Sequence, residues 1–110
     1  MMNGLVAAFL IAAASLPALQ EAEPGLKAQA KVTYEEAQKT ALGRVKHAAI
    51  QSAELERENG KLLYSFDLKR HGRGGIDEVQ VDALTGAVLS VQHEGPAAEA
   101  AERAQDLKAK

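Results

Sequence analysis

The chain has 110 residues, 46% of them hydrophobic and only 4% aromatic, which is enough for one small domain and too little for two. Its 13 basic and 15 acidic residues leave a formal net charge of −2, which excludes the basic footprint of a nucleic-acid binder and a polybasic membrane patch. Cysteine is absent, so there is no disulfide framework, no thiolate metal site and no lipid-modified N-terminal cysteine; this suits a chain exported to an oxidising compartment.

Residues 4–19 (GLVAAFLIAAASLPAL) form a run without a charge. The run is short for a spanning helix, which needs about 20 apolar residues. Pro17 and small residues follow its apolar stretch, as they do near a signal-peptidase site. Cleavage fits after Ser15, Ala18 or Ala22; Ala18 is favoured, weakened by Leu16 two positions upstream. Only the α-amino group supplies the usual positive charge ahead of the core. A buried helix or an uncleaved anchor is the competing reading. In the domain division, residues 1–22 are assigned to the signal peptide and residues 23–31, with Pro24-Gly25, to a flexible leader.

At Thr33 the pattern changes. Thr33-Tyr34-Glu35-Glu36 has the form of a capping box, and Ala37, Ala41, Leu42 and Val45 recur at helical spacing. This predicts a helix over residues 34–46, with Tyr34, Ala37, Ala41 and Val45 facing inward. Acids in its first turn and Arg44 and Lys46 in its last suit the macrodipole. Gly43 is either a mild cost or a place where a strand lies close.

After His47 the period drops to two. Residues 50–58 and 61–70 read as strands joined by Asn59-Gly60, a strong hairpin signal because both positions accept positive φ. Leu62, Tyr64, Phe66 and Leu68 share one face of the second strand. Residues 71–75 (HGRGG) read as a loose, mobile loop. Residues 76–83 and 87–93 form a second hairpin, with Val79, Val81 and Ala83 on one face. Its turn has Asp82 placed to accept loop N–H groups, Thr85 within the turn and Gly86 in the left-handed position. These residues, like Asn59 and Gly60, have a sufficient explanation as turn-formers; a catalytic or metal role for Asp82 is the less economical reading. Residues 95–110 are rich in alanine and read as a flexible or weakly helical tail. The expected architecture is α+β: one N-terminal helix packed on a four-stranded antiparallel β-meander. Its other sheet face and at least one edge stay open.

Two surface features are candidates for partner binding. Lys69, Arg70 and Arg73 belong to a basic cluster, for which a solvated hairpin end is the plain alternative. Glu54 and Glu56, with Glu58, alternate along one strand face, opposite Lys61 and Lys69. Catalysis has no such foothold. The His-Glu-x-x-His signature is absent, and His47, His71 and His93 show no ligand spacing. Ser52, Ser65 and Ser90 lack an adjacent base. No cofactor or metal is expected.

Thr33-Tyr34-Glu35-Glu36-Ala37, Leu63-Tyr64-Ser65-Phe66-Asp67-Leu68 and Val81-Asp82-Ala83-Leu84-Thr85-Gly86-Ala87-Val88, in this order and separation, resemble a PepSY domain across residues 32–94. Arg44-Val45-Lys46-His47 departs from the family's frequent Pro-Gly helix exit. The resemblance implies a non-enzymatic exported module that inhibits or regulates a secreted or periplasmic peptidase. The charge balance leaves no nucleic-acid partner, a cut signal leaves no stable membrane anchor, and the open edge allows a monomer or weak homodimer. The alternative reading is an envelope sensory or accessory module that binds a small ligand, a metal ion or an envelope protein.

Overall fold

A computed structural model describes residues 16–96; the N-terminal residues 1–15 and most of the alanine-rich tail lie outside the described residues. One helix, α1 (Tyr34–Arg44), precedes the hairpins. The Thr33 hydroxyl accepts the Glu36 N–H at 3.1 Å, and the Glu36 carboxylate accepts the Thr33 N–H at 3.0 Å, closing the capping box. The helix ends two residues before its expected limit. Val45 is already extended at φ −128°, and His47 turns the chain in the left-handed region at φ 58°. A histidine thus makes the exit turn in place of Pro-Gly, a conformation uncommon outside glycine. The His47 carbonyl accepts the His71 N–H at 2.9 Å, which ties the exit to the far hairpin loop.

The sheet has five strands, not four, in the order β1 (Leu19–Glu21), β2 (Ala48–Glu58), β3 (Lys61–Arg70), β4 (Ile76–Asp82), β5 (Val88–Glu94). Strands β2 to β5 form the antiparallel meander. The expected four-stranded antiparallel sheet is corrected by β1, which pairs parallel to β2 with Leu19 opposite Ala53 and Glu21 opposite Leu55. A three-residue Leu-Gln-Glu strand has too few positions to show an alternation, so it left no periodic signal. The Ala22 N–H continues the pairing to the Leu55 carbonyl, and Tyr34 donates its hydroxyl to the Pro17 carbonyl at 2.7 Å.

Residues 23–31 are anchored as well. A short 3-10 turn, Leu26–Gln29, places Leu26 in the core at 2% exposure. The Lys31 and Val32 N–H groups both donate to the Ala83 carbonyl, while Tyr64 donates its hydroxyl to the Val32 carbonyl at 2.6 Å. These bonds fix where α1 begins over the sheet.

The core lies between α1 and the helix-facing side of β2, β3 and β4. Ala37 and Ala41 let the helix approach closely, and Phe66, Leu68, Val79 and Val81 are fully buried beneath it. Tyr34, Tyr64 and Phe66 stack with centroids 6.1–6.2 Å apart. Two bulges adjust the alternation. One between Ile50 and Ser52 brings Ile50 onto the side of Ala53 and Leu55. The other pairs Val81 with Val88, so Val88 packs against the core while Leu89 is exposed. Gly43 faces open space, so no strand explains it.

The N-terminal segment adds stability through long-range bonds. A chain starting at Glu23 should be less stable than one starting at Leu16 by about 1–3 kcal/mol, from the lost β1 pairing and the Tyr34–Pro17 bond. Chemical denaturation of the two chains reads this directly; equal midpoints would mean β1 contributes nothing.

Candidate functional site

Alternation along β3 and β4 sends Arg70 and Asp77 to the helix side, beyond the end of the apolar rows. Asp77 is 4% exposed there. Arg70 reaches it with two bonds, Nε at 2.7 Å and Nη2 at 3.1 Å. His93, paired with Asp77 across β4 and β5, places Nδ1 at 3.0 Å from the other side. Burial pushes the Asp77 carboxyl up; the hydrogen bonds and charges of Arg70 and His93 outweigh it and hold the group below its ordinary value. Arg70, from the sequence-derived basic cluster, is therefore committed to a structural pair.

Around this pair the helix exit and the β3–β4 loop form a cleft of about 460 Å³. Arg44, Lys46, His47, His71 and Arg73 surround it, with Val45 and Val91 as its apolar lining. Arg73 of the sequence-derived cluster is thus joined by helix-exit cations that the sequence reading did not group with it. Lys69 is not part of this lining; it donates to the Gly75 carbonyl at 3.1 Å. That bond and Gly75 itself set the loop's path. Gly75 is buried at φ +85°, and a Cβ there would sit 2.1 Å from the Glu94 carbonyl oxygen, so only glycine fits.

Glu54 and Glu56 lie on the opposite side of the sheet, where Glu58, Asp67 and Glu78 join them around a shallow depression. Burial, then repulsion from Glu54, Glu58 and Glu78, raises the Glu56 carboxyl; burial and Asp67 raise Glu78, with Ser65 opposing. Lys61 does not pair with this strip in the way the register suggests. Its ion pair is with Asp82, at 3.9 Å. Among the described residues, no three His, Asp or Glu side chains are grouped to hold a metal ion.

The two turns have the following geometry. Asn59 and Gly60 sit at φ 51° and 79° between β2 and β3. Asp82 accepts the Leu84 and Thr85 N–H groups at 2.8 and 3.0 Å, Thr85 accepts the Ala87 N–H, and Gly86 lies at φ 83°. The Leu84 bond, with help from Thr85 and Lys61, holds the Asp82 carboxyl low against the effect of its burial. A second cavity of about 460 Å³ lies beside β1, lined by Leu19, Val32, Tyr34 and Tyr64. It gathers no comparable set of like charges.

The described residues form a small α+β domain with a cationic cleft on one side of its sheet and an acidic depression on the other. A family model, "Peptidase propeptide and YPEB domain" (PepSY), matches residues 31–92, more than half of the chain. The protein belongs to the PepSY family. Comparison with curated proteins and with solved structures found no match. No described helix is long and apolar enough to cross a membrane.

Two outcomes test the charge arrangement. Asp77→Asn should cost about 2 kcal/mol, below the 3–5 kcal/mol of a fully buried pair because the Arg70 side chain is 27% exposed; a loss under about 0.5 kcal/mol would refute the pairing. Stability should also peak in mild acid. Glu56 and Glu78 bind protons more readily when folded, so falling pH relieves their cost until their ordinary range is passed. Asp77 and Asp82 contribute stability above the ordinary aspartate range and lose it as pH falls through their lowered folded values. Melting temperature should therefore rise from neutral pH to roughly pH 4–5 and then drop. Glu78→Gln should flatten the rise; an unchanged profile would contradict it.

Proposed function

We propose that this domain is a non-enzymatic, exported module that binds a secreted or periplasmic peptidase and restrains it. The family match over residues 31–92 carries this reading, since the family's description names peptidase propeptides. A domain that inhibits by occupying its target needs complementary surface and no nucleophile of its own. The chain offers such surface on the sheet face opposite α1, at β5 and in the cationic cleft. Export is proposed from the apolar run within residues 1–22, with cleavage after Ala18 so that β1 (Leu19–Glu21) stays in the sheet, and the folding unit is proposed to span residues 32–94 with β1 and the Leu26 turn attached. Asp82, Thr85, Gly86, Asn59 and Gly60 serve in this reading as turn-formers, and Glu54, Glu56, Lys69, Arg70 and Arg73 as partner-facing or partner-supporting charges.

The alternative, an envelope sensory or accessory module, draws on the same cleft, where four permanent cations surround one carboxylate. An inhibition assay separates the two. The purified chain should slow secreted metallopeptidases of its own organism with a saturable, concentration-dependent curve. Full peptidase activity at high micromolar chain, together with thermal stabilisation by a small anion or a divalent cation, would favour the alternative.

A further inference from the structure

We propose that β5 and the cationic cleft beside it form one docking surface for an extended, acidic segment of a partner protein. The inference rests on the peptidase-binding reading and names the chemistry of the segment that the domain takes.

β5 is last in the strand order, and no described strand pairs with its outer side. An edge strand presents a row of free N–H and C=O groups to any extended chain. Edges are commonly protected by lysine or proline, and residues 88–92 (VLSVQ) contain neither. They carry instead two exposed apolar side chains, Leu89 at 37% and Val91 at 40%. On the opposite side, β1 covers only Ala53–Leu55 of β2, and the open remainder of β2 carries Glu56 and Glu58, which repel an acidic segment.

Val91 joins the two parts of the surface, since it belongs to β5 and also lines the cleft. Arg44, Lys46 and Arg73 supply three permanent positive charges there, beside the Arg70 guanidinium that is paired with Asp77. The lining has one carboxylate, Asp77, already held by Arg70 and His93. The far side of the sheet carries Glu54, Glu56, Glu58, Asp67 and Glu78. An acidic segment is therefore repelled from one side of the sheet and drawn to the other. In a strand added to β5, side chains alternate between faces, so acids at every second position reach the cleft side together. The cations ring a concave site around an apolar residue, which suits a side chain better than a flat lipid surface.

The test uses the full chain and a blocked six-residue peptide alternating Glu and Val, with a Lys–Val peptide as control. Amide shifts on titration should change in β5 and around the cleft for the Glu–Val peptide, weaken with added salt, and be absent for the Lys–Val peptide. The double reversal Lys46→Glu with Arg73→Glu, both exposed positions, should weaken binding about tenfold, and Lys39→Glu on the exposed side of α1 should not. Equal binding of both peptides, shifts confined to β1 or the acidic face, or an unchanged affinity in the double reversal would overturn the proposal. Sedimentation with anionic vesicles while the peptide leaves β5 unshifted would assign the cations to a membrane and overturn it as well. Peptide binding that holds while no peptidase is inhibited would leave the surface standing and remove the peptidase reading; inhibition unaffected by the double reversal would do the reverse.

Discussion

Among the described residues, α1 alone covers one face of a five-stranded sheet, and it is too narrow to cover all of it. A helix with its side chains is about 10 Å across, while strands lie about 4.8 Å apart, so α1 shelters little more than two strands fully. The consequences are visible along one row of the sheet. Phe66 and Val79 beneath the helix are fully buried, while Val91, paired with Val79 on the next strand, is 40% exposed. Among the described residues, nothing covers the β5 edge or the opposite face. A thin core of this kind leaves a large fraction of the fold as potential contact surface, which is what a domain acting through association requires.

The rest of the structure compensates by tying loose segments to the sheet. Ala83 holds the chain ahead of α1 with two bonds to its carbonyl and gives its own N–H to the Leu62 carbonyl. Tyr34 and Tyr64 fill the space between helix and sheet with their rings and spend their hydroxyls on the Pro17 and Val32 carbonyls. At the other end, Arg70, Asp77 and His93 substitute a polar clamp for apolar packing. That end is also where β2, the helix exit and the β3–β4 loop converge, through the His47 carbonyl and the buried Gly75. The clamp orders the floor of the cleft and leaves Arg44, Lys46 and Arg73 around it.

Much of this was legible in the sequence wherever the signal was local. The capping box placed the start of α1, Asn59-Gly60 placed the β2–β3 turn and the start of β3, and the glycine-rich residues 71–75 placed its end. The alternation of Val79, Val81 and Ala83 matched their full burial. The same parity carries a signal that was passed over: it puts Arg70 on the side of Leu68, and Asp77 on the side of Val79, marking a charged pair on a buried face. The bulges were not readable, because an extra residue at Gln51 or Leu89 changes no local preference and is decided by packing across the sheet. Gln38 is 5% exposed among alanines of α1, a polar residue where the helical pattern called for an apolar one. β1 was hidden for another reason. Its residues follow a charge-free run that reads first as an export signal, and its partner strand lies more than 30 positions away.

The uneven distribution of charge on the two sheet faces gives the proposed relation to a peptidase a direction. The account's central claim is that the partner meets the domain at β5 and the cationic cleft. The most direct measurement places a photo-reactive amino acid at position 91, and in a second chain at position 39, and exposes each to the secreted and periplasmic proteins of the producing organism. The account predicts a crosslink to a peptidase from position 91 and none from position 39. A peptidase crosslinked equally from both positions, or no peptidase crosslinked from position 91, would contradict it.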